Sequence, residues 1–159
     1  MSAPGNPAAE GNVISRKDNQ ALFLAIAVLT VVGVVVSAVS LERHYAKSAS
    51  AFCDLGERFN CDIVNRSEYS SVMGIPVAAI GIVGYGALLV LATVYRSRAE
   101  TPLRLLAAAV AGLGFAMYLT YVEAYVLETW CILCLCSLGL IAGIAILAGV
   151  VKARPSVTD

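Results

Sequence analysis

At 159 residues the chain has the length of a single domain, but its residues are 59% apolar and only 14% charged, against the roughly 25% charge of a soluble globule. Much of its surface therefore faces something other than water. A formal net charge of +0 removes the basic excess that nucleic-acid binding requires, and five cysteines in so apolar a chain do not describe a secreted disulfide mini-protein.

In chain order, residues 1–19 are polar and contain Pro4, Gly5, Pro7 and Gly11, the composition of a disordered tail. An apolar run from about Ala21 to Leu41 follows. It exceeds the roughly 7–15 residues of a signal-peptide core, so it is expected to remain as a first membrane span. A loop of about residues 42–71 leads to a second apolar run, Val72 to Tyr95, with Pro76 in its first turn, where a missing N–H costs least. A third runs from about Leu105 to Val122 and a fourth from about Cys131 to Val151. A helix needs about 20 apolar residues to cross a bilayer. The predicted fold is an all-α integral membrane protein, a four-transmembrane-helix bundle with a large extracytoplasmic first loop. Its expected parts are a cytoplasmic N-tail (1–19), a membrane domain (20–152, loop 42–71) and a cytoplasmic C-tail (153–159).

Four crossings place both ends on one side. Arg16, Lys17, Arg96, Arg98, Arg104, Lys152 and Arg154 share that side, against Arg43, Lys47, Arg58 and Arg66 on the other. Basic residues collect in the cytoplasm, so both termini are expected there, in the cell inner (plasma) membrane, with the cysteines at the outer face, where disulfides persist. Gly139 and Gly143, and the Gly81, Gly84 and Gly86 cluster, suit close helix packing in lipid.

Four cysteines fall into two pairs, Cys53 with Cys61 and Cys131 with Cys134. A C-x-x-C at the mouth of a membrane helix can hold a metal, close a structural loop, or move electron pairs between thiols and a molecule dissolved in the bilayer. At i and i+3 on the first helical turn, Cys131 and Cys134 share a face, and a helix N-terminus favours the reactive thiolate. Trp130 and Tyr125 nearby suit interfacial anchoring. Taken alone, Cys53 and Cys61 read as one structural disulfide. In a polar loop with Gly56, Asp54, Glu57 and Arg58, above a second dithiol, they also have the arrangement of a relay. Cys136 lies about 200° round the helix from Cys134 and is expected to point away from the pair as a small buried hydrophobe.

Metal binding fits these residues less well than redox chemistry. The three helical cysteines cannot all face one ion, His44 has no second histidine beside it and reads as a solvated loop residue, and structural zinc takes four convergent ligands. No Ser–His–Asp set appears for hydrolysis, and the spans as drawn hold none of the ionisable groups that mark a transporter.

The first-loop C-x7-C from Cys53 to Cys61, the stretch CDIVNRSEYSSVMGIPVAAIGIVGY, and CILC at the fourth span together resemble the vitamin K epoxide reductase family, over about residues 20–150. That resemblance implies a four-helix bundle around a quinone, menaquinone or ubiquinone, as electron acceptor. It implies that Cys131 and Cys134 reduce the quinone, with Cys134 facing it, and that Cys131 receives electrons from Cys61. Cys53 would exchange with a partner's thiol, and Ser67 would support the site, and quinone binding, by hydrogen bonding. Leu138 stands where animal members carry a tyrosine, which favours quinone over epoxide reduction. Many bacterial members carry a fused thioredoxin-like domain, and this chain stops at Asp159. The implied partner is therefore a separate extracytoplasmic thioredoxin-like protein, which the chain would reoxidise to support disulfide formation. Two other functions fit the same residues: a vitamin K epoxide reductase proper, and a non-catalytic membrane scaffold with a structural loop disulfide.

Overall fold

The computed structural model describes residues 7–46 and 58–154, with side chains described from Lys17 onward. The described residues are mostly helical. Helix α1 spans Pro7–Tyr45, α2 Cys61–Arg66, α3 Val77–Thr93, α4 Thr101–Tyr125 and α5 Ile132–Ala153. A 3-10 turn, Glu68–Ser70, and a two-stranded hairpin, β1 Ser71–Val72 and β2 Ile75–Pro76, connect α2 to α3. Helix α1 begins at Pro7, so helical structure reaches into the segment expected as a disordered tail. Residues 72–76, expected as the start of the second span, belong instead to the hairpin that begins at Ser71. Its turn residues Met73 and Gly74 both have positive φ, 53° and 83°, as a two-residue hairpin loop requires. Pro76 then serves as N-cap of α3, outside the helix, where no intrahelical N–H is needed.

The four long helices pack in a ring in which α1 lies between α3 and α5, and α4 closes the other side. Ile26, Leu88, Leu105 and Ile144 meet at its centre. The outside is just as apolar: Leu24, Val28, Val83 and Ile146 are all more than half exposed. A surface of this kind suits lipid, where burial of backbone polar groups within helices is obligatory. Helices α1 (over Lys17–Tyr45), α4 and α5 are long and apolar enough to cross a membrane, and α3 is a shorter apolar helix of 17 residues.

Close approach of α1 and α3 depends on two glycines. A Cβ at Gly33 would sit 2.4 Å from the Tyr85 ring, and one at Gly81 would sit 2.7 Å from Ser37 Oγ. The step expected from Gly139 and Gly143 brings no such contact; nothing lies within 4 Å of a Cβ at Gly139. Tyr85, seated against Gly33, also donates its hydroxyl hydrogen to the Ser137 carbonyl at 2.9 Å, joining α1, α3 and α5 through one side chain. At one end of the ring, Arg154 Nη1 lies 3.8 Å from Asp18 Oδ2, which sets the Asp18 turn of α1 beside the end of α5. The cysteines lie at the other end.

Candidate active site

Residues 58–61 are tied to the segment just before α5. The Trp130 N–H donates to the Arg58 carbonyl at 2.8 Å, and the Asn60 N–H donates to the Trp130 carbonyl at 3.1 Å. These two bonds form a parallel bridge between Phe59 and Trp130. Asn60 then caps α2: its Oδ1 accepts from the N–H groups of Asp62 and Ile63, both at 3.1 Å, supplying acceptors that a helix start otherwise lacks. Bridge and cap together deliver Cys61, the first residue of α2, directly against Cys131. Both are fully buried, and they pack with Val64 in one small cluster with Leu127, Leu133 and Cys134 around it.

Cys61 is disulfide-bonded, whereas Cys131 and Cys134 are free thiols. Cys53 lies outside the described residues. Cys131 is not in the first turn of α5 as expected but is its N-cap, with extended backbone (φ −109°, ψ 118°). Its N–H donates to Glu123 Oε2 at 3.0 Å. A hydrogen bond from the Cys134 thiol holds the Cys131 thiol below the usual cysteine range, against the opposing push of burial. Asn65 completes this corner: its Nδ2 donates to the Cys61 carbonyl at 2.9 Å and lies 3.7 Å from Cys131 Sγ. Cys136 points away from the pair, as its helical phase requires, but it is exposed on the outside of the bundle and not buried as expected.

Beside the cysteines, a cavity of about 380 Å³ opens between the helices. Its walls are mostly carbon, with polar side chains among them that include His44, Asn65, Ser67, Tyr85, Glu123 and Ser137. Cys134 is on this wall; Cys61 and Cys131 are behind it. Ser67 also reaches the cavity, with its hydroxyl hydrogen donated to the Val64 carbonyl at 2.8 Å. His44 differs from its expected place. It lies in the last turn of α1, half-buried, with Nδ1 hydrogen-bonded to the Asn65 carbonyl and 3.3 Å from Ser70 Oγ.

Glu123 is the main residue that sequence reasoning missed. It was expected in the third connection, but α4 continues through Tyr125 and places it on the inner face, 2% exposed. Its carboxylate and the sulfurs of Cys131 and Cys134 lie within 4.8 Å of one another, one donor short of a closed structural zinc site. The available signal was the shortness of the 126–130 connection, which must fold the chain back and set Glu123 opposite Cys131. Asn65 was missed too, although it stands at i+4 from Cys61, the spacing that puts two helical residues on one face.

The model of the Vitamin K epoxide reductase family matches residues 24–148, more than three quarters of the chain.

Proposed function

Because the chain belongs to the vitamin K epoxide reductase family, membrane oxidoreductases acting on thiols and quinones, we propose that it reoxidises a thioredoxin-like partner outside the membrane and passes the electrons to a quinone. The reading rests on one observation above the others: Cys61 packs against Cys131 while Cys134 alone of the three reaches the cavity. The cavity also fits the acceptor. Its volume of about 380 Å³ lies within the roughly 300–1,000 Å³ of small-molecule sites, and carbon walls with a few polar groups are the usual lining. When bound, a quinone supplies an acceptor for two electrons and two protons.

The protein's own part is thiol exchange. A partner thiolate takes Cys53 from the Cys53–Cys61 disulfide and releases Cys61 as thiolate. Cys61 attacks Cys131 Sγ of an oxidised Cys131–Cys134 pair, and Cys134 leaves as thiolate at the cavity wall. The partner's second thiol then resolves the mixed disulfide, completing the partner's own disulfide and freeing Cys53 as thiolate, and Cys53 attacks Cys61 to restore the loop disulfide and release Cys131. Each step is a thiolate displacement at sulfur. Asn65 Nδ2, beside Cys131 Sγ, stabilises the negative sulfur, and Ser67 holds the short α2 helix against the cavity.

The same proposal includes four membrane crossings in the plasma membrane, with both termini cytoplasmic and the cysteines outside. At about 1.5 Å per residue, α3 is roughly 25 Å long, and the hairpin before it supplies the rest of the way to the surface. The distribution of Lys and Arg supports the orientation.

The test is a purified system: reduced thioredoxin-like donor, this protein, and menaquinone or ubiquinone. Quinol should form, and Cys134→Ala should reduce its formation to background while the loop pair still exchanges with the donor. No quinol from either quinone would sink the proposal, and turnover of vitamin K epoxide in the same assay would reassign the substrate.

A further inference from the structure

The buried carboxyl of Glu123 is not needed for any thiol exchange, yet it sits where the sulfurs meet the cavity. One oxygen, Oε2, accepts the Cys131 N–H at 3.0 Å. The other, Oε1, is buried with no hydrogen-bond partner among the described residues. An unpaired buried acceptor costs about 1–3 kcal/mol, so a chain needing only an anchor for the Cys131 N–H would do as well with glutamine. Glu123 lines the cavity together with Cys134, and its carboxylate lies within 4.8 Å of both the Cys131 and Cys134 sulfurs. A carboxyl group with one oxygen committed and one open is equipped to hold one proton at a time.

We infer that Glu123 carries protons from the Cys131–Cys134 dithiol to the acceptor in the cavity. The inference rests on the proposed function, since it needs a quinone as oxidant. The balance is complete. Both S–H bonds break and one S–S bond forms, so the dithiol loses two electrons and two protons. Oε1 takes the Cys134 proton and gives it to one acceptor oxygen, then repeats the transfer with the Cys131 proton for the second. Quinone and dithiol become quinol and disulfide, and Glu123 ends with the proton count it began with, facing disulfide sulfurs in place of thiols. This spares the buried sulfurs a separate route for protons to water.

Two variants separate this role from anchoring. Glu123→Gln keeps an oxygen for the Cys131 N–H and cannot carry the proton; Glu123→Asp keeps the proton chemistry and disturbs the anchor. The full chain is first reduced, then mixed with a soluble menaquinone or ubiquinone analogue, and the oxidation is followed. At saturating quinone, the oxidation rate constant of E123Q should fall on the order of 100-fold or more while the half-saturating quinone concentration stays within about threefold, the signature of lost proton transfer. E123D should be faster than E123Q, and exchange between the loop pair and Cys131 should match wild type in E123Q, which also shows that the variant is folded. If E123Q reduces quinone at the wild-type rate, or if E123D is the slower of the two, Glu123 is an anchor and the inference is wrong. A second readout needs no quinone: infrared difference spectra of wild type, taken as Cys131 and Cys134 are oxidised to their disulfide, should show a carboxyl band shift that E123Q lacks. An unchanged carboxyl region overturns the inference even if E123Q does not fold. Wild type that oxidises with no quinone removes the proposed function itself, an outcome separate from any difference between the variants.

Discussion

Asn65 lies beside Cys61 and Cys131, the two cysteines that exchange in the proposed relay. Its amide bonds the Cys61 carbonyl and reaches Cys131 Sγ, and a hydrogen bond to a charged group contributes about 1.5–3 kcal/mol. Asn65→Ala should therefore slow Cys61-to-Cys131 exchange on the order of tenfold or more, measured by rapid alkylation after mixing with a reduced donor. Asn65→Asp should be slower still, because it sets a carboxylate beside a developing thiolate. Equal rates in all three proteins would reduce Asn65 to a brace for α2. At this scale the cysteines themselves were legible: C-x-x-C announces itself, and helical phase alone separates Cys136 from the pair. Glu123 and Asn65 were not, because each matters through what it faces across the fold. An isolated glutamate near the end of an apolar run reads as the start of a loop, and only the buried turn of α4 shows otherwise.

Among the elements, the α1–α3 contact depends most sharply on single atoms. The Tyr85 ring fills the place where a Gly33 side chain would be, so Gly33→Ala must push the helices apart or move the ring. Overpacking of this kind costs about 1–3 kcal/mol. The expected result is a lower thermal midpoint in detergent, recovered in part by adding Tyr85→Ala; no change in midpoint would mean that the helices separate freely there. The helices were readable as apolar runs because lipid and core both select carbon, and periodicity matters less when every face is apolar. That same uniformity hid where α3 begins. Val72 and Ile75 continue the apolar run, yet Met73 and Gly74 turn the chain into a hairpin. The run also gave no hint that Gly33 would be a close contact and Gly139 would not. Nor could the parallel bridge at Phe59 and Trp130 be foreseen, since pairing across some 70 residues leaves no local pattern.

For the molecule as a whole, the open questions of crossing number and orientation reduce to the two ends of α3. Met73 is 97% exposed at one end, and Arg98 is exposed beyond the other. In intact cells, Met73→Cys should react with a membrane-impermeant thiol reagent, and Arg98→Cys should react only after the membrane is opened. The reverse pattern inverts the orientation, and labelling of both from outside means that α3 does not cross. The bridge between Arg58–Asn60 and Trp130 has a further consequence at this scale. In the proposed relay, holding Cys61 against Cys131 would make their exchange a first-order event, with the association entropy already met by folding and an effective concentration set by tethering. Dilution of the protein across the membrane leaves that step untouched. Only the two encounters at its ends depend on abundance, so throughput would follow the supply of reduced partner on one side and of oxidised quinone on the other.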